Sequence, residues 1–238
     1  MNRLVAHAPM SLVPDTSFHQ QGAPWLVEEE TEHLQEVATF APAGYEPGYA
    51  YPLVVWLHSE GSDENALPQV MPHMSVRNYV SVAPRGVELD GSTGWIQTPE
   101  AIAEAEQSVV DAIDAASDMF NVHPERIFLV GSGQGGTMAV RLALQDPGRF
   151  AGAVSLDGPL PQGHRPFGRL NDARGLPLLL AASRESQGYP EPQLCSDLAL
   201  LHSAGFQVAI RQYPGDDELT TAMLADVNRW VMDLVAPC

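Results

Sequence analysis

The sequence predicts an α/β protein built in three layers, a mostly parallel central sheet with helices on both faces. Three observations carry this. Short apolar runs of strand length recur from about residue 52 to the end. Most are apolar at every position rather than at alternate ones, the pattern of strands buried on both sides. Helix-period segments separate them, and a parallel pair of strands needs such a crossover, which is right-handed. The chain of 238 residues, 45% hydrophobic, is long enough for one such domain. Residues 33–238 are assigned to it, with no internal repeat and no second domain.

Residues 1–32 precede the domain. Pro9, Pro14 and Pro24, a Gln20-Gln21-Gly22 turn and the acidic run Glu28-Glu29-Glu30 predict an extended leader, lying on the surface or partly disordered. His33 to Phe40 alternates weakly, as an edge strand does. Pro52-Leu-Val-Val-Trp-Leu57 is a buried strand ending at His58. Residues 63–77 read as helix interrupted by Pro68 and Pro72. Tyr79 to Ala83 is a strand closed by Pro84, and a glycine-rich loop through Gly94 and Trp95 follows.

Pro99 to Phe120 is the clearest helix, with proline at its first turn and Ile102, Ala105, Val109, Ile113, Ala116 and Phe120 on one face. Ile127–Val130 is a strand, and Thr137–Leu144 a helix of good helix formers. Phe150–Leu156 and Leu176–Ala181 are strands separated by a loop, Gly158–Gly175. Pro192–Ala204 is a helix closed by Gly205. Phe206–Tyr213 alternates as a half-buried strand. Leu219–Val235 is the last helix, with Leu219, Met223, Val227, Trp230, Val231 and Leu234 turned inward.

Twelve basic residues against thirty acidic ones give a formal charge of −18. Such a field repels nucleic acid and anionic membrane surfaces. Cys195 and Cys238 form neither a disulfide framework nor a metal spacing. Cys195, in a leucine-rich stretch, is expected to be a buried reduced thiol. No run approaches the length of a membrane span, and the N-terminus lacks the apolar core of a signal peptide. The expectation is a soluble cytoplasmic protein without membrane insertion.

The stretch Arg126-Ile-Phe-Leu-Val-Gly-Ser-Gly-Gln-Gly-Gly-Thr-Met-Ala139 carries the functional argument. Four glycines fall within six residues between a strand and a helix. Such a turn projects one side chain from the top of the sheet beside the N–H groups of a helix N-terminus. Gly131 and Gly135 stand at the outer positions of a G-x-S-x-G elbow, and the middle position is Gly133. Ser132 comes one residue early, on an extended segment, so its side chain should point elsewhere.

This chain resembles the phospholipase/carboxylesterase family of α/β hydrolases, the group that contains acyl-protein thioesterases. The resemblance rests on Pro52–His58 with Gly61, on Ala83-Pro-Arg-Gly86 with Trp95, on the elbow with its Gln-Gly-Gly, and on Gln212-Tyr-Pro-Gly215. It implies the α/β-hydrolase fold and ester or thioester hydrolysis by a Ser-His-Asp triad without a cofactor. The triad is altered at each position. Gly133 replaces the nucleophile. The loop that should carry the histidine reads Pro214-Gly-Asp-Asp-Glu218, so Asp216 and Asp217 stand there, and no histidine follows His202. The loop for the acid offers Glu185 and Ser186. The resemblance further implies a vestigial oxyanion hole and cleft formed by His58, Ser59, Glu60, Gly61, Gln134 and Trp95. The expectation is therefore a catalytically inactive relative that binds a small acyl or carbonyl ligand or a protein partner.

Two other readings compete. Gly131, Gly133 and Gly136 also spell G-x-G-x-x-G, with Asp157 ending the next strand, as in dinucleotide-binding proteins. Two strands precede this motif, whereas the fingerprint opens its domain. A metal held by His58, Glu60 and the Asp216–Glu218 carboxylates could activate water, although these carboxylates more simply cap the helix after them.

Overall fold

The computed structural model describes residues 37–89 and 91–236. The leader, residues 1–32, and the start of the His33–Phe40 strand lie outside them. Nine strands and six helices are present among the described residues, in the order β1 (Val37–Phe40), β2 (Tyr51–Leu57), α1 (Leu67–Met74), β3 (Val80–Pro84), β4 (Val87–Leu89), β5 (Ser92–Gly94), α2 (Pro99–Met119), β6 (Val122–Ser132), α3 (Gln134–Gln145), β7 (Gly152–Leu156), α4 (Leu170–Ala173), β8 (Leu178–Ser183), α5 (Glu191–Ser203), β9 (Val208–Tyr213) and α6 (Thr221–Val235). The main sheet has seven strands in the order β1-β3-β2-β6-β7-β8-β9. Only β1 runs antiparallel, against β3, and the register of the parallel pairs is regular from β2 through β9 apart from one irregularity near Tyr51.

The strands β2, β3, β7 and β8 are buried at every position, which explains their unbroken apolar sequences. One sheet face packs Leu53, Val55, Leu57 and Leu129 against α2 and α3, with Leu201 of α5 at its end. The other packs Val54, Trp56, Phe128, Val130 and Leu179 against α1 and α6. This is the three-layer α/β arrangement expected. Helix α2 starts as its sequence suggests, with Thr98 accepting a hydrogen bond from the Ala101 N–H and Pro99 at the first turn.

Several elements differ from expectation. The glycine-rich loop before Trp95 contains a two-stranded hairpin, β4 with β5. Strand β9 is not half-buried by alternation: it is a sheet edge, and Ile210, Arg211 and Gln212 are exposed. In α6 the buried stripe is Met223, Leu224, Val227, Val231 and Val235, and Leu234 faces outward at 38% exposure. That helix is capped by Thr220, which accepts from the Met223 N–H, and not by Asp216–Glu218. Cys195 is exposed, because α5 buries only Leu194 and Leu201, seven residues apart, and Cys195 lies off that stripe. No helix among the described residues is long and apolar enough to cross a membrane.

Candidate active site

The parallel strands all end at one rim of the sheet, where ligands of such folds bind. There the chain turns sharply from β6 into α3. Gly133 holds φ 54° and ψ −123° as the N-cap of α3, and its N–H donates to the Leu156 carbonyl at 2.8 Å. The flanking glycines are demanded by close approach. A Cβ on Gly135 would lie 2.2 Å from the Leu57 carbonyl oxygen, and one on Gly131 would lie 2.3 Å from that of Gly135. A Cβ on Gly133 would meet only the Ser59 Cβ, at 3.7 Å. The elbow is thus built, with room at its apex and no side chain there.

A cavity of about 830 Å³ opens above this turn. Its wall includes Ser132, Gly133, Gln134 and Thr137 from the elbow, His58, Ser59 and Glu60 after β2, and Trp95, Ile96 and Gln97 after the hairpin. Trp56, Ala66, Val70 and Leu219 supply an apolar side, and Asp157 and Asp217 supply carboxylates. Of the predicted cleft residues, Gly61 is off the wall: its N–H donates to the Thr93 carbonyl at 2.9 Å and ties the loop to the hairpin. Met71 packs in the core, and His164 is exposed away from the wall.

The polar groups on this wall hold one another. The Gln134 amide donates to Glu60 Oε2 at 2.8 Å and accepts from the Trp95 N–H at 3.2 Å. The Trp95 indole N–H donates to the His58 carbonyl at 3.0 Å. Among the described residues His58 is the one histidine on the wall, and both its ring nitrogens are engaged. Nδ1–H donates to the Ser59 carbonyl at 2.9 Å, while Nε2 accepts from the Gly86 N–H at 3.1 Å. That assignment fixes the neutral tautomer. Burial pushes the imidazole below its ordinary value, against the opposing Ser59 hydrogen bond and the fields of Asp63 and Glu64.

Because the folded value is depressed, the unfolded chain binds the proton more readily. Stability therefore rises with pH between the folded value and the ordinary 6.5, and is lost as pH falls through that window. Thermal unfolding at pH values on either side of 6.5 is expected to show this loss, and His58→Gln is expected to reduce the difference between the two melting temperatures.

The loops after β8 and β9 lie side by side, since Ser183 pairs with Tyr213. They bring Ser186 and Asp217 together: the Ser186 hydroxyl donates to Asp217 Oδ1, and the Gln187 N–H donates to Oδ2 at 3.0 Å. The Ser186 hydroxyl holds the Asp217 carboxyl below its usual range, ahead of the opposing desolvation. Asp216 and Glu185, the other two predicted positions, are exposed and off the wall. A carboxylate thus stands in the loop where the resemblance implies a histidine, hydrogen-bonded to a serine in the loop where it implies an acid.

The sequence offered Asp157 as the acid of the competing dinucleotide fingerprint, and it is buried on the cleft wall with φ 53°. Its carboxylate accepts from the Ser183 N–H at 2.5 Å and the Ser183 hydroxyl at 2.9 Å. Burial pushes the carboxyl up, these bonds pull it down, and the field of Asp217 pushes it up again. The signal that could have found it is its place at the carboxyl end of the strand beside the elbow strand. Asp157 so engaged with Ser183 does not suit the ribose-binding acid of a dinucleotide site. No cluster of three or more metal-binding side chains occurs among the described residues, and His58 has no nitrogen to offer one.

Residues 87–181 match the phospholipase/carboxylesterase family. NocK of Nocardia uniformis subsp. tsuyamanensis, named as an esterase, is 29% identical over 119 residues, covering 46% of this chain and 33% of that protein. A protein of Oryza sativa subsp. japonica named as a carboxylesterase is 29% identical over 133 residues, covering 47% of this chain and 57% of that protein. The matches therefore span between a third and just over half the length of these relatives. Among solved structures, the Bacillus cereus carboxylesterase superposes with a TM-score of 0.68 at 16% identity, over 85% of this chain and 96% of that one. Arabidopsis thaliana SOBER1 superposes with a TM-score of 0.67 at 19% identity, over 79% of this chain and 100% of that one. The fold is theirs, and residues 87–181 carry the likeness to the phospholipase/carboxylesterase family.

Proposed function

We propose that this chain is a non-hydrolysing relative of the family whose cleft binds a small carbonyl-bearing ligand. The observation that carries the proposal is Gly133, which holds the apex conformation of a nucleophile elbow without a nucleophile. Covalent acyl transfer needs an attacking atom and a base within hydrogen-bond reach of it. Gly133 provides no such atom. Ser132 lines the cleft, but His58, the only histidine on the wall among the described residues, accepts from a backbone N–H and has no free lone pair. Asp217 already accepts from Ser186 and Gln187, and those bonds weaken it as a base.

The ligand-binding half of the reading rests on what the elbow keeps. Gln134 opens the twelve-residue helix α3, and a helix N-terminus presents N–H groups that carry partial positive charge. Aimed into a cavity, such donors hold a carbonyl oxygen whether or not a nucleophile stands beside them. The test is hydrolysis of p-nitrophenyl acetate and butyrate. The rate is expected to match that of heat-inactivated protein and to be unchanged by Ser132→Ala. Saturable turnover that scales with protein and is lost on Ser132→Ala would overturn the reading.

A further inference from the structure

We infer that Gln97 gives this cleft a fixed hydrogen-bond donor, and that the ligand is an uncharged ester carrying a second carbonyl oxygen to meet it. The inference rests on the reading of the cleft as a ligand site and specifies what that ligand contains. It starts behind the wall, at Arg141 of α3. This side chain is 0% exposed, and no ion pair neutralises it among the described residues. Three oxygens satisfy its guanidinium instead. Nε donates to Gln97 Oε1, Nη2 to the Gln162 carbonyl at 2.6 Å and Nη1 to the Gly163 carbonyl at 3.3 Å.

A guanidinium donates and never accepts, so the amide of Gln97 turns its oxygen toward Arg141. Reversing the amide would set its NH2 against a buried cation and strip that cation of an acceptor. The amide nitrogen is therefore the end that Gln97 can present to the cavity it lines. It reaches the Trp95 carbonyl at 3.5 Å, the outer limit of a hydrogen bond, and that contact uses at most one of its two N–H groups. Gln97 is half-buried, which leaves the second N–H within reach of a ligand. The other wall amide among the described residues, Gln134, has both ends engaged, with Glu60 and Trp95. The backbone holds Gln97 from both sides: the Trp95 indole is tied to the His58 carbonyl, and Thr98 caps α2. A donor held this way loses little freedom on binding. It asks for an acceptor oxygen separate from the carbonyl at the elbow. Glu60, Asp157 and Asp217 line the same space, so an uncharged oxygen suits it and a carboxylate does not.

Dimethyl succinate, glutarate and adipate carry two carbonyls at increasing separation, and methyl butyrate, valerate and hexanoate of matching chain length carry one. Titration of the full chain by ligand-observed NMR is expected to show at least one diester bound about tenfold more tightly than its monoester partner. The half-ester of that diacid, which carries a carboxylate, is expected to bind more weakly than the diester. Gln97→Glu keeps an oxygen against Arg141 and removes the N–H groups. It is expected to abolish the diester preference and, by giving the buried guanidinium a counter-charge, to raise Tm. Monoesters bound as tightly as diesters, or a diester preference that survives Gln97→Glu, would overturn the inference and leave the carbonyl site at the elbow standing. A half-ester bound more tightly than the diester would overturn the uncharged class, and a lower Tm in Gln97→Glu would overturn the amide orientation. Binding of neither diester nor monoester would remove both the inference and the ligand-site reading beneath it.

Discussion

Gly135→Ala is expected to damage the fold more than Gly133→Ala, although Gly133 is the residue in the strained conformation. The added Cβ at 135 would lie 2.2 Å from the Leu57 carbonyl oxygen and 2.3 Å from that of His58. Both are backbone atoms at the end of a fully buried strand, so relief requires α3 to lift from β2. Ten residues of α3, from Gly135 to Leu144, are buried, and a shift of that helix disturbs the core on one whole face. Overpacking costs about 1–3 kcal/mol where side chains can yield, and more where they cannot. A loss of about 3 kcal/mol or more is a large share of a typical stability of about 5–15 kcal/mol. It corresponds to a fall in Tm of roughly 6–12 °C for a chain of this size. At Gly133 the φ of 54° imposes strain of about 1–3 kcal/mol on a residue with a Cβ, but the nearest atom is 3.7 Å away. Thermal unfolding of the two variants ranks them, and Gly133→Ala as the worse variant would contradict the elbow geometry.

Gly133→Ser alone is expected to remain inactive toward p-nitrophenyl acetate, whereas Gly133→Ser combined with Asp217→His and Ser186→Asp is expected to hydrolyse it. The single change fits the open apex but leaves the new hydroxyl without a base, since His58 is committed to Ser59 and Gly86. The combined change keeps the contact between positions 186 and 217 and reverses its roles. An imidazole then lines the same cavity as the elbow apex, oriented by a carboxylate behind it. A positioned general base contributes on the order of 10² to 10⁴ in rate, so a gain of about 10²-fold over the single variant is the smallest expected. Activity in the single variant would show that a base already stands within reach of position 133.

The fold was legible because the central strands bury both faces and so appear as continuous apolar runs between helices of clear period. The elbow was legible because its glycines are dictated by backbone contacts, which leave no choice of residue at 131 and 135. The hairpin before Trp95 was missed although the sequence pair Asp-Gly at 90–91 is a hairpin signal. Its strands have three residues each, too short for a period to register. Cys195 and Leu234 were misplaced because each adjoins the buried stripe of its helix, beside buried Leu194 and Val235. The pairing of Ser186 with Asp217 could not be read locally, since it depends on which strands are neighbours in the sheet and on their register. Asp157 became visible as a cleft residue only once β7 was placed beside β6.

No atom in this cleft is expected to attack an electrophile bound at the elbow. Incubation of the full chain with a fluorophosphonate, followed by intact-mass measurement, tests it most directly. An unchanged mass is expected for the protein as it stands. A stoichiometric phosphonyl adduct mapping to Ser132, Ser59 or any other hydroxyl of the cavity wall would contradict it.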